Sequence, residues 1–221
     1  MILLGNVTAS MRTYSRAHSY AFSTNDRIIR EVLVQKLIEK YRGKEDLKLI
    51  PELGLNHGCA RIDIAVVNGV MHGYEIKSDR DTLHRLPEQV AEYSAVFDQV
   101  TIVVGKRHLF DTVNLIRDWW GITLVKTDTS GEVFFQNIRE PRENPEQNKV
   151  AIARLLWREE ALRILERENQ DKGFRSKSRD RVYEHLADVL SLEPLKKSVR
   201  ETLLVTREGW RPDVPLMLSD G

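Results

Sequence analysis

The sequence predicts an α/β protein with a mixed central β-sheet flanked by helices, followed by a small C-terminal helical region. Three observations predict this class. Two strand-like runs surround Asn68-Gly69, which is the strongest short signal for a hairpin. Residues 99–105 form a near-continuous apolar run, as a strand buried on both faces requires. Segments with helical periodicity separate these strands, so helices should cover the sheet.

The composition is that of an ordinary globular protein. Of 221 residues, 41% are hydrophobic and 30% are charged, which argues against a disordered chain. The net charge of +1 gives no global electrostatic attraction to nucleic acid. Any basic surface for such a partner must therefore be local.

The first half of the predicted domain begins after an N-terminal arm, residues 1–24, which has no clear period. A helix is predicted from Thr24, its N-cap, to Tyr41. Residues 47–53 predict a strand, and Pro51 favours an edge position for it. The hairpin strands follow at 60–67 and 70–77.

The second half continues with alternating elements. The sequence predicts helices at 82–97 and 107–119 and strands at 99–105, 121–126 and 132–138. Two prolines in an almost wholly polar stretch predict a linker, residues 141–148, after a domain that spans 25–140. Helix-like stretches at 149–168, 178–190 and 192–205 form a C-terminal region, 149–212, either a small domain or an appendage packed on the first.

The location of the protein is predicted from what its sequence lacks. Cys59 is a lone cysteine, so no internal disulfide forms, and a reducing setting fits. The apolar start, residues 1–5, is too short for a signal-peptide core, and no run approaches the ~20 apolar residues that span a bilayer. We expect a cytoplasmic protein without membrane association.

Three charged residues interrupt the apolar hairpin strands. Asp63 lies in the first strand, and Glu75 and Lys77 lie in the second. Because residues two apart in a strand share a face, Glu75 and Lys77 project together. Two carboxylates on paired strands can hold a hard divalent cation, and a neighbouring lysine can orient an attacking water. The pattern therefore predicts a site for phosphodiester hydrolysis.

The turn decides whether this site forms. If Asn68-Gly69 were a two-residue turn, Asp63 would pair with Tyr74, and Glu75 would lie on the wrong side of the sheet. We therefore predict either a three-residue loop or a bulge, for which Gly73 is the natural position, with Asp63 and Glu75 on one face.

These residues resemble the core motif of the PD-(D/E)XK nuclease superfamily, whose fold is restriction-endonuclease-like. Gln89 and Tyr93 on the following helix are similar to the Gln-x-x-x-Tyr motif of its RecB-like branch. The run Arg61–Gly105 also resembles an uncharacterised bacterial group within the superfamily. The proline that gives the superfamily its name is absent, since Arg61-Ile62 precede Asp63.

The resemblance implies a metal-dependent (endo)deoxyribonuclease that uses Mg²⁺ or Mn²⁺. Asp63, Glu75 and the carbonyl of Ile76 would bind the metal, Glu31 would be an additional ligand, and Lys77 would position the water. Gln89 and Tyr93 would shape the site.

Each of these residues also has a structural interpretation. Asp63 and Glu75 could be ion-paired strand residues, and Gln89 and Tyr93 could be a packed helix face. Glu31 could pair with Arg27 or Gln35, and Glu52 competes with it as an acidic ligand. The alternative function is a non-catalytic nucleic-acid- or protein-binding module on a nuclease-like scaffold.

A local basic stretch between two predicted helices is the candidate surface for DNA, the expected partner. A homodimer is also compatible with the sequence. The candidate nucleic-acid-binding residues are Lys172, Arg175, Lys177, Arg179, Arg181 and, at the mouth of the predicted site, Ser78. A solvated interhelix loop, and for Ser78 a solvated turn, are the competing interpretations.

Overall fold

A single six-stranded mixed sheet organises the protein. The computed structural model describes residues 26–44, 46–128 and 130–209. The strand order follows the sequence, and the strands are β1 (Lys48–Leu55), β2 (Ala60–Val67), β3 (Met71–Lys77), β4 (Gln99–Gly105), β5 (Gly121–Thr127) and β6 (Val133–Arg139). β1, β2 and β3 pair antiparallel, β3, β4 and β5 pair parallel, and β6 returns antiparallel to β5. The predicted fold class is confirmed.

Seven α-helices accompany the sheet within the described residues. They are α1 (Asp26–Lys40), α2 (Leu86–Ser94), α3 (Leu109–Leu115), α4 (Lys149–Ala153), α5 (Arg158–Arg167), α6 (Arg179–Val189) and α7 (Leu192–Thr206). Short 3₁₀ turns occupy Asn56–Gly58 and Lys106–His108. The predicted arm and the Thr24 N-cap lie outside the described residues. No helix of the described ranges has the length and apolar character needed to cross a bilayer.

The two helices that follow strands in the first domain are shorter than predicted. α2 begins at Leu86 because Pro87, which lacks an N–H donor, is accommodated only in a first turn. The stretch predicted as one helix from 107 to 119 divides into a 3₁₀ turn and α3, which ends at Leu115. Trp119 and Trp120, which follow it, are buried.

The sheet is covered on both faces, so its central strands are apolar throughout. Ile29, Leu33 and Leu37 of α1 pack on one face against Ile64 and Val66. The opposite face packs against α2 and the C-terminal helices. Every residue of β3 is buried. The charged side chains of this strand are therefore held away from bulk water, where each must find a polar partner.

The hairpin turn contains three residues, as one form of the prediction required. Val67 pairs with Met71, and the backbone N–H of Asn68 donates to the carbonyl of Val70 at 3.1 Å. Gly73 is not a bulge but a regular ladder partner of Ala65. A Cβ at Gly73 would lie 3.1 Å from the side chains of both Ile62 and Phe97, so close packing explains this glycine.

The C-terminal helices share the core of the sheet domain. Residues 152–203 contribute buried side chains to the same apolar cluster as β2, β4 and α2. The segment predicted as a linker, 141–148, is fixed rather than free. The buried side-chain amide of Asn144 donates to the carbonyls of Ser94 and Phe97 at 2.6 and 2.7 Å. Polar composition here reflects these backbone contacts and not flexibility.

Candidate functional site

A cavity of about 740 Å³ opens between β2, β3, α1 and α2. It is unusually rich in acidic groups. Its lining includes four cationic side chains, Arg30, Arg61, Lys77 and Arg85. Its acidic lining residues are Asp26, Glu52, Asp63, Glu75, Asp81, Glu88 and Glu92. Seven carboxylates against four cations leave a surplus of negative charge that favours a bound cation.

Asp63 lies where the alternation of β2 is interrupted. Ile64 faces α1, whereas Ile62, two residues earlier, belongs to the opposite face. The Asp63 Oδ2 atom accepts a hydrogen bond from the backbone N–H of Ile76 at 2.7 Å, and Oδ1 lies 2.6 Å from Arg30 Nη2. Burial raises the pKa of Asp63 above its ordinary value, and these two partners offset only part of the increase.

Glu75 lies across the hairpin from Asp63. The ladder register, Val67 with Met71 through Ile64 with Tyr74, places Asp63 opposite Glu75 when it is continued by one residue. Only 2% of Glu75 is exposed, and its Oε1 atom is 2.5 Å from Lys77 Nζ. Burial, reinforced by the charge of Asp63, raises the pKa of Glu75 to about 7, although Lys77 acts in the opposite direction.

Gln89 and Tyr93 hold Glu75 from α2. Four residues apart on one helical face, they donate to the two carboxylate oxygens: Gln89 Nε2 to Oε1 at 2.7 Å and the Tyr93 hydroxyl to Oε2 at 2.9 Å. The hydroxyl also lies 2.7 Å from the carbonyl of Arg61. Burial and the nearby Glu75 raise the pKa of Tyr93 far above its ordinary value, so the phenol stays a neutral donor. The structure thus brings Asp63, Glu75 and the predicted helix motif together.

Glu31 does not reach the site. Its side chain is 62% exposed and pairs with Arg27 at 3.1 Å, which is one of the structural interpretations considered for it. Its prediction as a metal ligand is therefore corrected. α1 presents Asp26 to the cavity instead, where it lies 3.4 Å from Arg30. α1 is rotated against the sheet so that the Glu31 carboxylate faces solvent.

Glu52 is the other acidic group beside Asp63. It lies between Pro51, which pairs with Ile64, and Leu53, which pairs with Ile62. Its φ angle of +53° is uncommon for a residue with a side chain, and such strain concentrates at functional sites. Glu52 Oε2 is 2.5 Å from Arg61 Nε. Glu52 is the alternative to Glu31 as an additional acidic ligand predicted from the sequence, and it lines the cavity.

Arg30, like Asp26, is a residue of the site that sequence reasoning missed. Its guanidinium contacts Asp26, Glu52 and Asp63 together, so it joins α1 to β1 and β2. The only signal available in the sequence was its position one helical turn after Asp26. Its partners on the strands are 22 and 33 residues away, and nothing in the local sequence indicates them.

Ser78 is turned away from the cavity. Its backbone N–H and its hydroxyl both donate to Asp81 Oδ2, at 2.6 and 2.7 Å, and the residue is 1% exposed. Ser78 therefore lies in a turn, as its competing interpretation stated, but the residue is buried and not solvated. Asp81, the partner of Ser78, lines the cavity itself.

The predicted basic stretch is exposed but divided. Arg175 pairs with Asp171 and Glu166, both at 2.9 Å, and Arg181 pairs with Glu184 at 2.7 Å. Lys172 and Lys177 are exposed. Arg179, also exposed, lines a second cavity that also borders β1. Of these five residues, Arg179 alone lines this second cavity, and none lines the cavity of Asp63 and Glu75, which we call the carboxylate cavity.

Although seven carboxylates line the cavity, few oxygen atoms lie close enough together to bind one metal ion. Within the described ranges, no group of three His, Cys, Asp or Glu side chains has a geometry suited to hold an ion. The candidate ligands are the carboxylates of Asp63 and Glu75 and the carbonyl of Ile76. The buried Gln89 Oε1 atom, which has no hydrogen-bond partner, is a further oxygen at the same place. These donors and the surplus negative charge fit a hard cation such as Mg²⁺, provided that Arg30 yields the Asp63 oxygen it occupies.

Comparison with known proteins gives matches of different extent. The family model described as Bacteriophage P4 protein cII matches residues 21–208. Protein cII of Enterobacteria phage P4 is 28% identical over 155 residues, which cover 70% of this chain and 57% of that protein. The chain thus spans somewhat more than half of that relative. A solved protein of unknown function from Silicibacter pomeroyi is 16% identical, with 59% of this chain and 82% of that chain covered and a TM-score of 0.32.

Proposed function

We propose, from the geometry of the carboxylate cavity alone, that this chain, which belongs to the bacteriophage P4 protein cII family, is a nuclease of the PD-(D/E)XK type. The proposed reaction is metal-dependent hydrolysis of phosphodiester bonds in DNA. The observation that supports it best is the convergence of Lys77, Gln89 and Tyr93 on Glu75, opposite Asp63. Donors are needed around any buried carboxylate, but a second carboxylate placed beside it makes ionisation more costly, and a purely structural site gains nothing from that arrangement.

Each residue has a defined part in this proposal. Gln89 and Tyr93 fix the orientation of the Glu75 side chain, and the Ile76 N–H fixes that of Asp63. Lys77 places its ammonium group 2.5 Å from Glu75, where it can orient the attacking water and offset charge on the phosphate. Mg²⁺ or Mn²⁺ held by Asp63, Glu75 and the Ile76 carbonyl would polarise the phosphate and lower the pKa of a bound water.

A second function is favoured by Arg30. Its guanidinium occupies an oxygen of Asp63 and also binds Glu52, as a fixed structural ion pair would. A non-catalytic nucleic-acid- or protein-binding module on this scaffold would keep Arg30 in that position permanently. A catalytic site requires that Arg30 move when the metal binds.

One assay separates the two functions. Single- and double-stranded DNA are incubated with the purified protein in Mg²⁺, Mn²⁺ or EDTA, beside Lys77→Met and Asp63→Asn. The nuclease proposal expects cleavage that requires the metal and falls at least about 100-fold in each variant, the range attributed to one electrostatic group in an active site. Lys197→Met and Asp118→Asn, whose side chains are 72% and 86% exposed, are matched controls that should cleave normally.

The outcomes point in opposite directions. Cleavage that persists in EDTA and in both site variants would show that another centre is responsible. A folded wild-type protein that binds DNA but leaves it intact in every metal would favour the binding module.

A further inference from the structure

A second cavity, of about 540 Å³, lies beside the carboxylate cavity. The two share Glu52 and Gly58 in their linings, so they adjoin at β1 and the turn that follows it. The far wall of the second cavity is formed by the start of α5, the start of α6 and the residue after α7. Its volume lies in the range of ligand-binding pockets. We call it the arginine cavity.

The charge of the arginine cavity is opposite to that of its neighbour. Its lining includes two carboxylates, Glu52 and Glu208. The four arginines that line it are Arg154, Arg158, Arg179 and Arg207. A chain of phosphates is attracted to such a surface, whereas the carboxylate cavity alone would repel it. The pair of cavities thus offers a cationic binding surface next to an anionic one.

The four arginines differ in how many of their guanidinium N–H groups already have a hydrogen-bond partner. Arg207 is held by Glu160, with Nη1 at 2.8 Å from Oε1 and Nη2 at 2.9 Å from Oε2. Arg154 has a buried Nε–H that finds no acceptor, although its other nitrogens contact Asn56 and Asp180. The side chain of Arg179 has neither a hydrogen bond nor an ion pair with a described residue. The side chain of Arg158 is held by Glu159 and by the carbonyls of Arg175 and Lys177. Arg154 and Arg179 are therefore the two arginines whose donors the described residues do not fully satisfy.

Trp157 adds an aromatic surface to the arginine cavity. The residue is 61% exposed, although the Arg207 guanidinium lies 4.1 Å from the ring centroid. Its backbone is fixed, because its N–H donates to Glu160 Oε2 at 2.7 Å. An exposed indole on a fixed backbone, with a guanidinium against its ring, has the chemistry of a stacking platform for a nucleic-acid base.

Polar side chains connect the two cavities directly. Asn56 Oδ1 accepts from Arg154 at 3.3 Å, and Asn56 Nδ2 donates to Glu92 at 3.2 Å. Arg154 lines the arginine cavity and Glu92 lines the carboxylate cavity. A polymer that lies along this connection can have one phosphate at Asp63 and Glu75 while its neighbouring nucleotides occupy the arginine cavity.

We propose that the arginine cavity binds a single-stranded segment of nucleic acid, with a base stacked on Trp157 and phosphates on Arg154 and Arg179. A single strand is required because bases in a duplex are stacked on one another and their faces are not available to an indole. This inference names the substrate class for the proposed nuclease and rests on that function for its biological meaning. Binding itself is a separate property and can be measured without cleavage.

The test measures binding in EDTA, where the proposed hydrolysis cannot occur. Fluorescently labelled single strands of roughly 12 nucleotides, oligo(dT) and oligo(rU), and a DNA duplex are titrated with full-length protein. We expect tighter binding of the single strands than of the duplex. The preference between oligo(dT) and oligo(rU) identifies the sugar.

Two substitutions examine the two contacts separately. Trp157→Ala should weaken single-strand binding about 10-fold, and Trp157→Phe should restore most of it, because any aromatic ring offers a stacking face. Tryptophan fluorescence that is quenched by oligo(dT) in the wild-type protein should lose this response in Trp157→Phe. Arg179→Gln should reduce the slope of log affinity against log salt by about 0.7, the value for one lost phosphate contact on a single strand.

Arg163→Gln is the matched control, because Arg163 is exposed on the same helix as Arg158 but lines a different cavity. It should leave affinity and salt slope unchanged. Unaltered single-strand binding by folded Trp157→Ala together with an unchanged salt slope in Arg179→Gln would overturn the inference, as would tighter binding of the duplex. Lost cleavage in Lys77→Met with intact binding bears on the nuclease mechanism alone, so the two proposals fail in distinguishable ways.

Discussion

Glu75 is the residue on which the other site residues converge. Lys77, Gln89 and Tyr93 all contact its carboxylate, and Asp63 adds a second negative charge nearby. Burial makes ionisation costly, so the carboxyl titrates near neutrality in the absence of metal. A bound cation would stabilise the ionised form of Glu75, because Lys77 offsets only part of the effect of burial.

The raised pKa of Glu75 predicts a specific dependence of stability on pH. The folded-state pKa of about 7 exceeds the ordinary value of 4.5, so the folded protein binds the proton of Glu75 more tightly than the unfolded chain does. The stability that this protonated carboxyl contributes is fully present below about pH 4.5 and is lost as the pH rises through 7. Relative to Glu75→Gln, the metal-free wild-type protein should lose up to about 3 kcal/mol of unfolding free energy across this window. Urea denaturation in EDTA measures it. Glu159→Gln, at a 73% exposed side chain, should change with pH like the wild type, and parallel curves for wild type and Glu75→Gln would contradict the expectation.

Arg30 predicts a measurable effect on metal affinity. Because its guanidinium is bound to Asp63, a cation must compete with it for the same oxygen. Arg30→Gln removes a positive charge from the cavity and should tighten Mn²⁺ binding about 10-fold, which corresponds to ~1.4 kcal/mol. Calorimetric titration with Mn²⁺ measures the change. Arg27→Gln, on the exposed side of α1, serves as the control, and equal or weaker binding by Arg30→Gln would argue against a metal at Asp63.

At the scale of the elements, the hairpin of β2 and β3 positions both carboxylates. Its three-residue loop sets the register that brings Asp63 opposite Glu75, and α2 supplies the donors that orient Glu75. α2 can approach β3 closely because Gly73 leaves room for Phe97, which follows that helix. The register and the close approach are properties of the paired elements and not of any single residue.

Gly73 therefore predicts a cost for added volume. Gly73→Ala would place a Cβ 3.1 Å from Ile62 and from the Phe97 ring, and we expect a loss of about 1–3 kcal/mol from overpacking. Gly54→Ala is the matched control, because the nearest atom to its Cβ, the Cα of Gly58, is 4.0 Å away. Thermal and urea unfolding compare the two. Equal stability of both variants would show that the sheet and Phe97 separate without penalty.

On the scale of the whole molecule, the C-terminal helices are part of the folding unit. They contribute to the main core, and a buried ion pair fixes α7 to the sheet, with Lys196 Nζ 2.6 Å from Asp98 Oδ1. Asp98 also accepts from the backbone N–H of Met71 at the start of β3. This attachment carries α5 and α6 to the edge of the carboxylate cavity, where Trp157 and Arg179 line the arginine cavity.

The ion pair predicts that a substitution in α7 lowers the stability of the sheet as well. Lys196→Met leaves Asp98 buried without its cation and should cost about 3 kcal/mol. Helix and sheet signals should still be lost in one transition, because the two regions share a core. Lys197→Met, one position later and 72% exposed, should be nearly neutral. Two separate transitions, or a neutral Lys196→Met, would indicate independent domains.

The sequence alone determined the fold class, the six strands, and the group of Asp63, Glu75, Lys77, Gln89 and Tyr93. These follow from local physics: periodicity defines strands and helices, and residues two apart in a strand or four apart in a helix share a face. The same local rules could not predict the direction of Glu31, which depends on how α1 is rotated against the sheet.

Tertiary structure decided the remaining features of the site. In the folded protein Asp26, and not Glu31, is the acidic residue of α1 that lines the cavity. Arg30 lies between Glu52 and Asp63, and the hydroxyl of Ser78 donates to Asp81. It also joined the C-terminal helices to the core and so placed an arginine cavity beside the carboxylates. The physical reason is that a long side chain pairs with whatever group lies within its reach in the folded molecule. Arg30 contacts residues 22 and 33 positions away, and no local sequence pattern predicts such pairs.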